Sequence, residues 1–233
     1  MTAKDVEKAL MKIADKNKGE FLARFFKTGK GQYSEGDVFL GITVPAQRKV
    51  VAEFRALPLD EVGVLLASKY HEFRLTALLI LVWQYEKCED VQLKKRIVDF
   101  YLKNRKFVNN WDLVDSSARQ VLGDWLLDKD RAILYKFAVS KDLWERRISI
   151  IATHRFIMEK DFADTLKICE ILMGDRHDLI HKATGWMLRE IGKRDPKPLR
   201  GFLDKHSKKM PRTMLRYAIE HLTPTLKKKY MSR

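Results

Sequence analysis

One spacing constrains this chain more than any other feature. Four amphipathic segments align without internal gaps: EFRLTALLILVWQYEK from Glu72, NNWDLVDSSARQVLGDW from Asn109, ERRISIIATHRFIMEK from Glu145 and IHKATGWMLREIGKR from Ile180. A weaker fifth, TMLRYAIEHL, begins at Thr213. One position per segment gives Leu75, Trp111, Arg147, Lys182 and Arg216, at steps of 36, 36, 35 and 34 residues. Within each segment apolar residues recur at three- and four-residue intervals, the period of a helix buried along one face. Such a helix cannot bury its stripe alone, whereas stacked helix pairs bury a continuous core. The period therefore predicts an all-α, HEAT-like solenoid of antiparallel helix pairs. The stretch DKDRAILYKFAV, just ahead of ERRISIIATHRF, is one of the expected partner helices. No segment alternates with period two, so no sheet is expected. Pro58, Pro196, Pro198, Pro211 and Pro224 all fall between helical runs, as helix breakers should.

Residues 1–233 read as a single repeat domain with one irregular stretch. Between about residues 28 and 44, TGKGQYSEGDVFLGITV carries four glycines and no helical period. A connection this long within a compact domain is usually functional or mobile. Its apolar half, Val38, Phe39, Leu40 and Ile42, is expected to dock on the core.

Charge narrows the partner. Lys and Arg number 46 against 31 Asp and Glu, a net +15, which calls for a polyanion, either nucleic acid or an anionic membrane surface. No run of about eighteen apolar residues exists, so no transmembrane helix is expected. The first residues, MTAKDVEKALMKIADK, are amphipathic and carry acids, unlike a signal or transit peptide. Cys88 and Cys169 are too few for a disulfide framework and sit in apolar helical patterns, as small core residues do. A cytoplasmic monomer is the expectation.

The repeat register then selects residues. Equivalent positions of stacked repeats form a row, and one set of helices in such a superhelix lines the concave, binding side. The row ends in Arg147, Lys182 and Arg216, where a core-facing row would be apolar throughout. This predicts a basic ladder on the concave face suited to a phosphate backbone, with Arg146, His181 and Lys193 able to widen it. Four residues on, one helical turn along the same face, the row reads Leu79, Asp115, Ile151 and Trp186. Trp111 and Asp115 thus share a face, with Arg147 and Trp186 one and two repeats beyond. Indole faces attract cations, and a partly desolvated carboxylate stabilises developing positive charge. Trp111 and Trp186 are also residues an ordinary core would use. Asp112 or Asn110 suits the helix N-terminus better than Asp115 does. Trp83, Trp125 and Trp144 lack such company and read as structural. His177 and His181 have the i,i+4 spacing of metal ligands but no third ligand, so no metal is expected. No Gly-rich phosphate loop or nucleophile elbow is present, and no cofactor is expected.

Several motifs together carry a resemblance: LARFFK at Leu22, FLGITVPAQRK at Phe39, WDLVD at Trp111, LGDWLL at Leu122, LWERRISI at Leu143 and IHKATGWMLREIGK at Ile180. In combination they make the chain resemble, over nearly its whole length, the bacterial DNA alkylation repair enzymes of the AlkD type, HEAT-like DNA glycosylases. The resemblance implies hydrolysis of the N-glycosidic bond of cationic alkylated purines in double-stranded DNA, such as N3-methyladenine and N7-methylguanine. It assigns Asp115 as the catalytic carboxylate, Trp111 and Trp186 as the aromatic pair at the damaged nucleotide, and Arg147 as a DNA contact. Phe25 and Arg48, in the LARFFK and FLGITVPAQRK motifs, join Arg146, Lys182 and Arg216 as expected DNA-contacting residues. Glycosylases generally extrude their target base, whereas the resemblance suggests action on a nucleotide left stacked. Two positions depart from the family pattern. Phe25 stands where active members carry tyrosine, which removes a hydroxyl, and Asn110 replaces a tryptophan before Trp111. The alternatives are a non-catalytic DNA-binding solenoid and a protein-binding scaffold.

Overall fold

The computed structural model describes residues 1–232, and among them the regular structure is helical, with one isolated parallel bridge between Val38 and Tyr70. The chain divides into two compact units, residues 1–121 and 122–233. No helix among the described residues is long and apolar enough to cross a membrane.

Unit 1 is built around one helix. Helix α5 (His71–Lys87) is buried on every side from His71 to Val82, as expected of a helix that is apolar all round. The shorter helix ahead of it, α4 (Leu59–Leu66), packs along it; α3 (Val44–Glu53), α6 (Val91–Asn104) and α7 (Trp111–Asp115) pack on it as well. Helix α1 (Ala3–Met11) closes α3 and α4, and α2 (Lys16–Phe25) leads into the long connection.

Unit 2 repeats the scheme. Helix α8 (Ala132–Ala138) packs on α9 (Leu143–Ala152), and α11 (Ala163–Leu172) on α12 (Asp178–Arg194), with α10 (His154–Met158) against α12. Helices α13 (Pro196–His206) and α14 (Arg212–Ala218) also lie on α12, and α15 (Pro224–Met231) ends the chain. Aspartates start several of these helices. Asp90, Asp142 and Asp195 accept backbone N–H groups of the first turns of α6, α9 and α13, satisfying donors that have no partner inside the helix.

Two of the aligned sequence segments are broken in the structure. The second ends as an α-helix at Asp115, turns at Ser116–Ser117, and resumes with a π-helical stretch, Arg119–Gly123. The third breaks at Thr153, between α9 and α10. A hydroxyl bonds back to the preceding turn at each break. Ser117 Oγ donates to Leu113 O at 2.6 Å and Thr153 Oγ1 to Ile150 O at 2.7 Å, and such back-bonding competes with the helix ladder. Ser117 and Thr153 occupy the same register position, 36 residues apart.

The irregular stretch is pinned in place. Glu72, 1% exposed, accepts the backbone N–H groups of Leu40, Gly41 and Ile42 at 2.8 to 3.2 Å. Gln47 Nε2 donates to Ile42 O at 2.9 Å. Gly41 has φ +78°, and a Cβ there would lie 2.1 Å from Asp15 O, so both conformation and space demand glycine. Phe39 and Ile42 are buried and Leu40 half-buried, as expected, but Val38 is 40% exposed. Its backbone explains the difference: Val38 N–H donates to Lys69 O and Val38 O accepts from His71 N–H, which fixes the strand bridge and turns the side chain outward. Of the two cysteines, Cys169 is a core residue whose thiol is pushed up by burial. Cys88 corrects the core expectation: it is half-buried at the C-terminal cap of α5.

Candidate functional site

In unit 1 the candidate residues gather at the start of α7. Asn110, fully buried, caps that helix: its Oδ1 accepts from Trp111 N–H at 2.8 Å while its Nδ2 donates to Ser34 Oγ at 2.6 Å. The cap thus joins α7 to the pinned loop. Trp111 is half-buried and lies flat on Phe26, ring centroids 5.1 Å apart at 8°. Phe25 meets the indole at an edge, 6.2 Å between centroids, and is 56% exposed; Phe21 stacks 6.5 Å beyond it, 66% exposed. Asp115, one turn after Trp111, is half-buried. Beneath it, burial pushes the Tyr101 phenol up and the Asp115 charge adds to the rise; the phenol oxygen lies 3.2 Å from Ser117 Oγ.

A buried charge cluster fixes this platform. His71, 2% exposed, lies between two carboxylates: its Nε2 is 2.8 Å from Asp112 Oδ2 and its Nδ1 3.4 Å from Asp37 Oδ2. Arg74 Nη2 pairs with Asp37 Oδ1 at 2.7 Å. Burial works against the charged imidazole, but Asp112 and then Asp37 outweigh it, so the His71 pKa is raised. Burial also works against ionised Asp37, and His71 and Arg74 outweigh it, leaving that carboxyl below its usual range. Asp112 is held by His71 through Oδ2 and accepts Leu113 N–H at 2.9 Å through Oδ1, while Asn110 is the N-cap residue. An apolar cavity of about 340 Å³ adjoins the cluster, lined by Phe21, Phe26, Phe39, Ile42 and Leu75, with Lys18, His71 and Asp112 among its polar groups. Arg48 is exposed on α3.

Unit 2 holds the other candidates. Trp186, on α12, is half-buried; its Nε1 donates to Glu190 Oε1 at 3.3 Å and the His154 ring meets it edge-on at 5.7 Å. Glu190 also accepts from Lys193 Nζ at 2.7 Å and Arg194 Nη1 at 3.1 Å. Burial raises its pKa, but those donors outweigh it and the net direction is down. Lys193 is thus tied to Glu190.

The basic row differs from its sequence reading at two arginines. Arg147 is 4% exposed and its Nη1 donates to Leu179 O at 2.6 Å, so it is not a solvent-facing rung. Arg146 Nε pairs with Asp175 Oδ2 at 2.6 Å, and its Nη1 donates to Ser140 O and Lys141 O. In both cases the guanidinium ties α9 to the segment around the start of α12. Arg216 is exposed, and Lys182 makes a surface pair with Asp178 at 2.8 Å of the kind a phosphate readily displaces. His177 caps α12 through Nδ1, and His181 Nε2 lies 2.6 Å from Asp175 O, which gives this pair structural work.

Sequence reasoning missed His71, Asp37, Ser34 and Phe21. The first three act through contacts made across long stretches of chain, which no local pattern announces. Phe21 lies four residues before Phe25 on α2, and that i,i+4 aromatic spacing was its available signal.

A family model described as DNA alkylation repair enzyme matches residues 6–222. No curated protein matches the chain. Among solved structures, a predicted DNA alkylation repair enzyme from Enterococcus faecalis is similar with a TM-score of 0.71 and 16% identity, over 91% of this chain and 97% of that one; at that identity the likeness speaks for the fold alone. With the family match running over nearly the whole sequence, the chain belongs to the DNA alkylation repair enzyme family.

Proposed function

We propose that the chain is a DNA N-glycosylase that excises cationic alkylated purines, N3-methyladenine and N7-methylguanine, from double-stranded DNA. One observation carries the reading: Asp115 stands partly open to solvent one turn after Trp111, whose ring is backed by Phe26 rather than enclosed in the core. A cationic purine is already a good leaving group, so no strong general acid is needed. The glycosidic bond breaks with its electron pair passing to the purine, which neutralises the base. Asp115 stabilises the oxocarbenium-like sugar electrostatically and orients the water that adds to C1′, taking up its proton. The Trp111 indole favours a positively charged base over neutral ones. Arg48, Lys182 and Arg216 hold the phosphate backbone and Phe25 lies against the strand.

The Asn110 departure does not weaken this reading, because that position is enclosed and spends its polar atoms on the α7 cap and the loop. Asp115→Asn is expected to abolish release of N7-methylguanine from methylated duplex, read by chromatography of freed bases, with DNA affinity nearly unchanged. Equal release by variant and parent would remove Asp115 from the chemistry. Tight DNA binding with no base released by the parent would favour a non-catalytic binder instead, and no affinity at physiological salt a protein-binding scaffold.

A further inference from the structure

A second recess in unit 1, of about 390 Å³, reaches Ser116, the residue after Asp115. Its lining includes Arg48, Arg55, Arg119, Trp83, Ser116 and Gln120, with Glu86 as the carboxylate among them. Three guanidiniums meet one carboxylate in this lining. They come from three places in the fold: α3, the turn after it, and the π-helical stretch that follows Ser116. Single-turn π segments occur often at functional sites.

Two of the three arginines are set up for an anion. The Arg55 guanidinium lies over the Trp83 ring, 5.1 Å from its centroid. Its backbone is held too: Gln84 Nε2 donates to Arg55 O at 2.9 Å and to Leu57 O at 2.8 Å. The planar fork is therefore positioned before any ligand arrives, which reduces the ordering cost of binding. Arg48 is exposed at the same recess. The Ser116 hydroxyl and Gln120 amide add neutral groups able to donate to phosphate oxygens. Guanidinium forks match phosphate geometry bidentately. A recess of this charge at the residue following Asp115 fits the strand on which that carboxylate would act.

We propose that this recess binds a backbone phosphodiester of that DNA strand, with Arg55 as a phosphate-contacting residue beside Arg48. The proposal rests on the glycosylase reading for its position relative to the reacting sugar; its phosphate chemistry stands apart from it. The test is a titration of undamaged fluorescent duplex across salt, with folding checked by circular dichroism. Arg55→Gln and Arg48→Gln should each reduce the slope of log K against log salt by about one, and the double variant by about two. The affinity deficit should shrink as salt rises. Lys4→Gln, on the exposed face of α1, should leave the slope alone.

An unchanged slope in the folded double variant overturns the proposal. Thermal stabilisation by inorganic phosphate in the parent, lost in the double variant without a change in the duplex slope, overturns the strand and leaves a free-phosphate site. Base release separates the two ideas. A parent that shows the slope changes yet frees no methylated base sinks the glycosylase reading alone, while one that frees base with an unchanged double-variant slope sinks this proposal alone.

Discussion

Asn110 performs two tasks in a space closed to solvent. Its carbonyl starts α7 and its amide grips Ser34 of the irregular stretch, with Asp37 Oδ2 at 3.4 Å. Asn110→Ala removes a helix cap and leaves a buried hydroxyl without its donor, so we expect a loss of about 1–3 kcal/mol, read as the urea midpoint of unfolding. Asn110→Asp keeps the acceptor but buries a second carboxylate beside Asp37, so its loss should be at least as large; a midpoint equal to the parent's for the alanine variant would deny the cap. The residue type was legible in advance, since Asn before a helical run is a capping signal. Its second task was not, because Ser34 lies 76 residues away in sequence and no local pattern reports such a contact. The same limit applies at Arg147, where a charged residue in an otherwise apolar segment reads as solvent-facing. Nothing local reveals that the Leu179 carbonyl waits for it.

Among the elements, the repeat period located the long buried helices α5, α9 and α12 and the shorter partners before them, because burial against neighbours enforces periodicity. It did not reveal where helices stop. Two segments that the pattern treats as continuous are interrupted at Ser117 and Thr153, where hydroxyls bond back to the preceding turn and the apolar period gives no sign of it. The first break lets α7 end at Asp115. Beside the buried Leu113 and Val114 of α7, the pairing of His71 with Asp112 links α7 to α5, and this link makes the contact sensitive to pH. His71 has a folded pKa above its ordinary 6.5, so its contribution is complete below that value and is lost as pH rises through the raised one. Asp37 lies below its ordinary 3.8, so its contribution is present above that value and is lost as pH falls through the lowered one. Urea midpoints should therefore decline on the alkaline side of 6.5 and again in acid below 3.8. His71→Gln should lower the plateau and flatten the alkaline limb. A parent whose midpoint is level from pH 6 to 9 would show that the imidazole carries no such charge.

For the molecule as a whole, the +15 net charge was the clearest forecast of a polyanionic partner, and it says nothing about which cations do the binding. That division has to come from burial. Arg216 is exposed, whereas Arg147 is enclosed with its guanidinium spent on a backbone carbonyl, although the repeat register gives them equivalent positions. The two should accordingly fail in different ways. Arg216→Gln removes a solvent-facing charge, so the slope of log K for duplex DNA against log salt should become shallower by about one, with stability unchanged. Arg147→Gln removes a buried charged donor from the Leu179 carbonyl and should cost about 1–3 kcal/mol of stability, with the salt slope kept in the folded fraction. Paired urea and salt titrations on the same preparations distinguish these outcomes. A shallower slope for Arg147→Gln at parental stability would return that arginine to the DNA surface, and would mean that burial is a poor guide to which basic residues meet the phosphates.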